Sequence, residues 1–332
     1  MKVCILDPGL QTQEGDHSRN LGDLIIQDAV NREVSLLFTG AEVIHCSTHS
    51  PLTQEQLHSL SGMDVVLVGG TNLLTSRFRP WNRWNEVAQC WSNQWSIHLL
   101  DALRIRQAIL LGTGWVTYQR EPDPLTRLMY HAALSGTGYH SVRDEYSRQR
   151  LISLGFCNVL NTSCVTMWGL SDTDMRGIPN IQGDNALLML TDYARDHERD
   201  ARLLKTLKER YRQVYAWPQC TEDSTYLREL EFSGVLLERS LPALDAFIQS
   251  GGSFDYIGTR LHGGIRCLQN RRRALIVEVD NRAAEIARDT GLPTVKRDDF
   301  TSIQRWIDGA PPPCIRLPLD AIQKWRAQFN TR

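Results

Sequence analysis

The segment with the clearest chemical capacity is FDYIGTRLHGGIRCL, where an arginine, a histidine and two glycines follow a short apolar run. Arg260 offers a guanidinium group, which holds carboxylates and phosphates through paired hydrogen bonds. His262 offers an imidazole, which exchanges a proton near neutral pH because its ordinary pKa is about 6.5. A single histidine is more often a hydrogen-bonded core residue, but the adjacent arginine and glycine pair favour a functional role. The segment therefore predicts an anion site with a proton donor.

The predicted strand and helix around Arg260 and His262 determine where these two residues lie. The apolar run predicts a strand over 254–258, and the sequence after it predicts a helix that leads to a further strand. Arg260 and His262 would then lie where a strand passes into a helix. Backbone N–H groups and the helix dipole attract negative charge at such a point. The predicted elements thus support the same anion site.

A second arginine has a similar place in the first half of the chain. In SVRDEYSRQRLISLG a strand is predicted to end at Val142, and Asp144 is suited to cap the helix that follows. Arg143 would then lie at the strand tip, near the positive end of that helix, in a position suited to an anion. The alternative is an arginine paired with an acid on the surface.

Two further segments combine glycines with the start of an element. In SRNLGDLIIQDAV, Asn20, Gly22 and Asp23 open an apolar helix, which Asp23 is expected to cap while Gly22 lets the backbone approach a ligand. In VVLVGGTNLL, Gly69 and Gly70 are expected to follow a strand directly and to open the loop at its carboxyl end. A ligand contact and a simple tight turn are both open interpretations of that glycine pair.

Apolar β-branched runs alternate with amphipathic stretches along the whole chain, which predicts an α/β fold with two doubly wound parallel sheets. The predicted strands are 2–6, 41–46, 64–70, 107–112, 139–142, 185–190, 213–217, 234–238, 254–258 and 274–279. We expect a Rossmann-like domain over 1–170, a second over 171–310, and a proline spacer with a last helix over 311–332. Ligands of such sheets bind beyond the carboxyl ends of the strands, so the site is expected in a cleft between the domains.

Composition excludes several classes of protein. The 332 residues include 37 Lys and Arg against 38 Asp and Glu, so no global charge favours nucleic acid or a membrane surface. No run of about 18 apolar residues predicts a membrane span, and the N-terminus lacks the apolar core of a signal peptide. The eight cysteines lack metal-finger spacing and are expected to be reduced. We therefore expect a folded cytoplasmic protein without a metal site.

Taken in order, four motifs resemble those of the polysaccharide pyruvyl transferase family. They are N-x-G-D at 20–23, the strand with the glycine pair at 69–70, S-x-R-D at 141–144 and R-x-H at 260–262. The resemblance covers most of the chain and implies a GT-B-like architecture, with the acceptor side expected on the domain over 1–170, the donor side on the domain over 171–310, and the last helix packing back on the first domain. It implies transfer of a pyruvyl group from phosphoenolpyruvate to a sugar hydroxyl pair of a bacterial surface polysaccharide or its precursor, including exopolysaccharide, which leaves a cyclic ketal.

The resemblance also implies roles for individual residues. Arg143 and Arg260 would hold the phosphate and the carboxylate of the donor from opposite halves, and His262 would be the general acid that protonates the donor. The remaining implied binding residues are Asn20, Asp23, Gly69, Gly70 and Arg282. No cofactor or metal is implied. The acceptor would be a glycan or a lipid-linked sugar, which is compatible with peripheral membrane association.

Departures from the family pattern leave two other functions open. The Gly-Asp-Pro segment of many members is replaced by NTSCVTMWGL (161–170), and Asp280, Asn281 and Arg282 stand where many members have a lysine. One alternative is a GT-B glycosyltransferase that uses a nucleotide sugar, with Glu278 or Asp280 on the ribose. The other is a non-catalytic glycan-binding relative. Cys164 lies in the altered segment and is interpreted as buried.

A group of tryptophans is peculiar to this chain. Trp81, Trp84, Trp91 and Trp95 recur at three, seven and four residues, a spacing close to that of one helix face. Such a stripe is usually core. Because aromatic rings also stack on the C–H surfaces of sugars, a platform for the acceptor is the alternative interpretation.

Overall fold

The computed structural model of the protein describes residues 1–78, 84–85, 90–91, 94–250 and 252–330. The chain divides into two compact units. The first consists of Met1–Ser18, Ile26–Val165 and Leu317–Arg332, and the second of Arg19–Ile25 and Thr166–Arg316. The short segment Arg19–Ile25 thus groups with the second unit, whereas the sequence analysis placed it within a continuous domain over 1–170.

Strands and helices alternate in both units. The strands are β1 (Lys2–Asp7), β2 (Glu42–Ser47), β3 (Val65–Leu74), β4 (Trp84–Asn85), β5 (Cys90–Trp91), β6 (Ile109–Trp115), β7 (His140–Val142), β8 (Val159–Asn161), β9 (Asn185–Met189), β10 (Gln213–Ala216), β11 (Val235–Leu236), β12 (Phe254–Gly258), β13 (Arg273–Glu278) and β14 (Thr294–Lys296). The helices are α1 (Leu21–Leu37), α2 (Gln54–Leu60), α3 (Leu99–Ile105), α4 (Pro124–Ala133), α5 (Glu145–Ser153), α6 (Asp172–Arg176), α7 (His197–Arg210), α8 (Thr221–Glu229), α9 (Leu241–Gln249), α10 (Leu261–Gln269), α11 (Asn281–Thr290), α12 (Phe300–Asp308) and α13 (Leu319–Ala327). Short 3-10 turns occur at Val165–Met167 and Asp192–Ala194.

The first unit is built on a parallel sheet with the order β2-β1-β3-β6-β7-β8 among the described residues. The last helix, α13, packs on this sheet. Trp325 of α13 is fully buried, and its indole Nε1 donates to the carbonyl oxygen of Leu110 in β6 over 3.1 Å. Arg326 forms an ion pair with the buried Glu33 of α1, at 2.6 Å between Nη2 and Oε2. These contacts join the C-terminal segment to the first unit.

The second unit is built on a parallel sheet with the order β11-β10-β9-β12-β13-β14 in the described part of the chain. From β9 the strands follow in sequence order (β9, β10, β11) toward one edge of the sheet, and from β12 they follow in sequence order (β12, β13, β14) toward the other. The boundary between β9 and β12 is therefore a topological switch point, where open α/β sheets bind their ligands beyond the carboxyl ends of the strands. The predicted α/β fold with two doubly wound parallel sheets is confirmed.

The sequence analysis missed four of the described strands. β4 and β5 have only two residues each, and β8 and β14 have three residues each and lie at the outer edges of their sheets, so none has an apolar run long enough to be noticed. No helix in the part of the chain that the structure describes combines the length and the apolar character needed to cross a bilayer.

The glycine pair of β3 was placed wrongly in the sequence analysis. Gly69 and Gly70 do not open a loop, because β3 continues through both of them to Leu74. A Cβ on Gly70 would lie 3.2 Å from the carbonyl oxygen of Gly112 and 3.3 Å from the Ile26 side chain. The pair therefore allows close packing inside the sheet.

The tryptophan stripe is also not a helix face. Trp84 and Trp91 pair across the short antiparallel β4–β5 ladder, and Trp95 is buried in the core of the first unit. Trp81 lies outside the described residues. The helical spacing was misleading because two tryptophans belong to strands.

Candidate functional site

Charged and polar side chains follow four neighbouring strands of the second sheet, and we call this region the second-sheet edge. Asp192 and Tyr193 follow β9, Gln219, Cys220 and Asp223 follow β10, Arg260 and His262 follow β12, and Asp280, Asn281 and Arg282 follow β13. Parallel strands place their carboxyl ends at one edge of a sheet, so residues distant in sequence meet here. All of these residues belong to the second unit.

Arg260 is the more buried of the two arginines at this edge, with a side chain only 3% exposed against 14% for Arg282. Its Nη2 donates to Oδ1 of Asp192 over 2.8 Å and to Oδ1 of Asp223, and its Nε donates to the carbonyl oxygen of Leu190 over 3.2 Å. Burial acts to lower the pKa of this guanidinium, but the charge and hydrogen bond of Asp223 together with the neighbouring Cys220 and Tyr193 outweigh it, so the pKa is raised. Arg260 therefore stays protonated at every pH at which the protein is folded.

The two carboxylates differ in their surroundings. Asp223 is 1% exposed and also accepts from the backbone N–H groups of Gln219 and Cys220, over 3.0 and 2.9 Å. Asp192 is 21% exposed. Asp223 is therefore a fixed partner of Arg260, whereas Asp192 is the partner that a ligand at the edge could replace.

Arg282 is held by a bidentate ion pair with Asp280. Its Nε lies 2.9 Å and its Nη2 lies 2.5 Å from Oδ2 of that carboxylate, and Nη2 also donates to the Tyr193 hydroxyl. Burial acts to lower the pKa of Arg282, but the charges of its neighbours prevail and raise it. This guanidinium is thus oriented before any ligand binds.

Tyr193 connects the two arginines. The guanidinium carbons of Arg260 and Arg282 lie 5.4 and 5.8 Å from its ring centroid, within the range of cation–π contacts. The tyrosine remains 55% exposed. Its exposed ring is therefore available to a ligand beside two guanidinium groups.

The structure brings together three groups with metal-binding chemistry that sequence spacing did not reveal. Ligand atoms of Asp192, Cys220 and Asp223 lie within 4.8 Å of one another. Arg260 donates to both carboxylates, so its single positive charge offsets one of their two negative charges. Burial raises the pKa of the Cys220 thiol to about 12, so the sulfur is protonated here and would have to lose its proton to bind a metal.

His262 lies in the first turn of α10, two residues after Arg260, which is the N-cap residue of that helix. The imidazole is buried. The two glycines that follow have a packing role: a Cβ on Gly263 would lie 2.3 Å from the Met189 sulfur, and one on Gly264 would lie 2.6 Å from Cγ1 of Ile276. The glycine pair therefore brings α10 close to the sheet and fixes the backbone that carries His262.

Replacing Gly264 by alanine should destabilise the protein by about 1–3 kcal/mol, because the new methyl group meets the fully buried side chains of Ile276 and Tyr256. The matched control is Gly136→Ala, since nothing lies within 4 Å of a Cβ there. Denaturant unfolding of both variants measures the difference. Equal stability of the two variants would contradict the packing role.

The N-terminal motif contacts the second-sheet edge through Gln219. Oδ1 of Asn20 accepts from the N–H of Gly22 over 3.1 Å and from Nε2 of Gln219 over 2.7 Å. Asn20, not Asp23, therefore has the capping position at the start of α1. A Cβ on Gly22 would lie 2.5 Å from the Gln219 amide nitrogen, so this glycine gives room to Gln219. Asp23 is buried and contributes to the electrostatic surroundings of Cys220 and Arg282.

Arg143 lies in the first unit and is only 1% exposed. Its Nη1 donates to Oδ1 of Asn72 over 2.6 Å, its Nη2 to the carbonyl oxygen of Trp115 over 2.9 Å, and its Nε to Oδ2 of Asp144 over 3.0 Å. Asp144 caps α5, as expected, by accepting from the N–H of Ser147 over 2.7 Å. Arg143 is thus bonded to protein acceptors inside its own unit, and a contact with a donor stays a prediction.

Other expectations concern the altered segment near residue 164. Cys164 is buried, as predicted.

Sequence reasoning missed Asp192, Tyr193, Gln219 and Asp223 altogether. Their position in the sequence could have indicated them. LTDY and WPQCTED each follow a buried strand directly, where a doubly wound sheet has its ligand-binding edge.

The site and the fold define an α/β protein with a charged, tyrosine-containing edge at the switch point of a Rossmann-ordered sheet. The family model of polysaccharide pyruvyl transferase matches residues 20–281, and the chain belongs to that family. The predicted resemblance is confirmed. Comparison with curated proteins finds no match. Among solved structures, UDP-GlcNAc 2-epimerase from Neisseria meningitidis bound to UDP-GlcNAc is similar with a TM-score of 0.48 and 12% identity, over 99% of this chain and 94% of that one.

Proposed function

We propose that this transferase moves the pyruvyl group of phosphoenolpyruvate onto a pair of sugar hydroxyls and forms a cyclic ketal. The observation that carries the proposal is the second-sheet edge of a chain of this family, where the guanidinium groups of Arg260 and Arg282 both lie against the Tyr193 ring and His262 lies in the first turn of the helix that Arg260 opens. The donor needs cations for its phosphate and carboxylate, and the reaction needs an acid. The edge offers both kinds of group.

Donor binding at Arg260 would proceed by exchange. The guanidinium is already paired with two carboxylates, of which Asp192 is the more exposed. A carboxylate or phosphate oxygen of the donor would replace Asp192 at Nη2, while Asp223 remains in place. The N-terminus of α10 adds backbone N–H groups that favour the same negative charge.

The reaction is assigned to the residues as follows. His262 gives a proton to C3 of phosphoenolpyruvate, which becomes a methyl group and leaves positive charge shared between C2 and its oxygen. One sugar hydroxyl attacks C2, the bond to the phosphate oxygen breaks, and the second hydroxyl closes the ring. Of the two hydroxyl protons released, one returns to His262 and the other leaves on hydrogen phosphate, so atoms and charge balance.

Arg143 would add a third guanidinium for the donor, as its S-x-R-D motif implies. The acceptor would be a glycan or lipid-linked precursor of a surface polysaccharide, and the reaction would take place in the cytoplasm, where phosphoenolpyruvate is made.

The proposal is tested by incubating the protein with phosphoenolpyruvate and a panel of glycans. We expect release of inorganic phosphate together with a product heavier than the acceptor by a pyruvate minus one water. Thermal shift provides the parallel measurement, since a ligand that binds the folded state raises Tm. Stabilisation by UDP or GDP, with no effect of phosphoenolpyruvate and no phosphate release, would replace the proposal by a nucleotide-sugar transferase.

A further inference from the structure

Asn281 has a buried side chain whose hydrogen-bonding groups are unused. It is the first residue of α11, it is 5% exposed, and neither Oδ1 nor Nδ2 has a hydrogen-bond partner among the described residues. Its neighbours Asp280 and Arg282 are bonded to each other. A buried polar group without a partner costs about 1–3 kcal/mol, so two such atoms on one side chain need an explanation.

The position of Asn281 directs its amide toward the second-sheet edge. Side chains in a helix lean toward the helix N-terminus, and Asn281 is at the N-terminal position of α11. That N-terminus follows the carboxyl end of β13 directly, next to the strand that leads to Arg260. The unused amide therefore belongs to a residue at the edge that carries the arginines, and the general lean of helical side chains favours its pointing toward that edge.

A second amide at the same edge is also incompletely bonded. Gln219 is 3% exposed, and its Nε2 donates to Asn20 while its Oε1 has no partner among the described residues. The two amides thus present two acceptor oxygens and one donor nitrogen. A matching ligand must supply hydrogen-bond donors as well as acceptors.

The need for hydrogen-bond donors in the ligand favours one of the two substrates of the proposed reaction over the other. Phosphoenolpyruvate is almost entirely an acceptor at neutral pH, because a phosphate ester loses its second proton near pH 6. It would satisfy Nδ2 of Asn281 and leave Oδ1 unpaired. A hydroxyl both donates and accepts, so a pair of sugar hydroxyls satisfies both atoms of a carboxamide.

The charges at the edge agree with a neutral polyol. Arg260 and Arg282 are outnumbered by Asp192, Asp223, Asp280 and Asp23, so an anion binds at this edge only by replacing a carboxylate, as proposed for the donor at Asp192, whereas a neutral ligand needs no such exchange. Carboxylates are also good acceptors for hydroxyl donors. The exposed ring of Tyr193 offers a surface for sugar C–H groups.

We propose that Asn281 is a binding residue for the sugar acceptor, and that its carboxamide takes up the hydroxyls of the acceptor at the second-sheet edge. The identification of this sugar as the acceptor rests on the proposed function. The binding of a polyol at Asn281 does not depend on which donor the protein uses.

The test is Asn281→Leu, which keeps a similar volume and removes both unused polar atoms. Without ligand we expect Tm to rise, because an apolar side chain replaces an unpaired buried amide. Methyl glycosides of glucose, galactose and mannose serve as probes; we expect at least one to stabilise the wild type and to lose its effect on the variant. In turnover, KM for the acceptor should rise about tenfold, as expected for two lost hydrogen bonds, with KM for phosphoenolpyruvate unchanged.

Asn185→Leu is the matched control, because the Asn185 amide donates to the carbonyl oxygen of Ser253. That variant should lose stability and keep sugar binding. A lower Tm of Asn281→Leu, or unchanged binding of glycosides, would overturn the assignment, as would the absence of stabilisation of the wild type by every glycoside. Stabilisation by UDP-N-acetylglucosamine alone would overturn the acceptor role. The thermal measurements need no turnover, so they remain decisive even if phosphoenolpyruvate is not the donor.

Discussion

Replacing His262 by alanine should lower the rate of ketal formation by about 10²- to 10⁴-fold while phosphoenolpyruvate still binds. The range is the usual contribution of a positioned general acid. Donor binding should persist because the cationic groups at the second-sheet edge, Arg260 and Arg282, keep their carboxylate partners. The measurements are single-turnover phosphate release and the shift in Tm caused by phosphoenolpyruvate.

The control is His197→Ala in the same unit. The His197 side chain is 59% exposed at the start of α7 and lies 3.7 Å from Glu229, so its removal should leave turnover unchanged. A His262→Ala variant with wild-type turnover would remove the imidazole from the mechanism. Loss of donor-dependent stabilisation in that variant would instead assign His262 to binding.

The sequence located the most important motif because its signals are local. The apolar run before Arg260 and the glycines after His262 fixed a strand and a helix, and β12 and α10 lie where these signals placed them. The same holds for Asp144, whose capping role depends only on the residues that follow it.

The partners of these residues could not be predicted, because they depend on strand order. Asp192 and Asp223 are 68 and 37 residues from Arg260, and Gln219 is 199 residues from Asn20. They meet because β9 lies between β10 and β12, an order that sequence patterns do not specify. Each acid alone is an ordinary polar residue after a strand, so only the assembled sheet distinguishes it.

The roles of the glycines could not be predicted for a different reason. The sequence analysis assigned Gly70 to a loop because it is one of two adjacent glycines, whereas its role is set by the carbonyl oxygen of Gly112 on the adjacent strand. A glycine that allows a close approach looks the same in sequence whether it approaches a ligand, a neighbouring strand or a side chain. Gly22 gives room to Gln219, a role that its sequence motif did not indicate, while its approach to a ligand stays a prediction.

Replacing Arg260 by alanine should destabilise the protein by about 3–5 kcal/mol and abolish donor-dependent stabilisation. The loss is large because Asp223, at 1% exposure, would keep a buried charge without its counter-charge. The double variant Arg260→Ala, Asp223→Asn should recover much of the stability, since the uncompensated carboxylate is gone, and should still fail to bind the donor. Denaturant unfolding and thermal shift with phosphoenolpyruvate measure the two effects separately.

The stability of the Arg260→Ala variant should depend on pH in a defined direction. Burial already raises the pKa of Asp223 above its ordinary value of about 3.8, even though Arg260 acts to lower it. Without Arg260 that pKa rises further, so the folded state binds the proton more tightly than the unfolded chain does. Stability of Arg260→Ala should then fall as pH rises from about 3.8 through the raised pKa, and its deficit against the wild type should be smaller in acid. A deficit that does not change with pH, or that persists in the double variant, would mean that Asp223 is not the group that Arg260 neutralises.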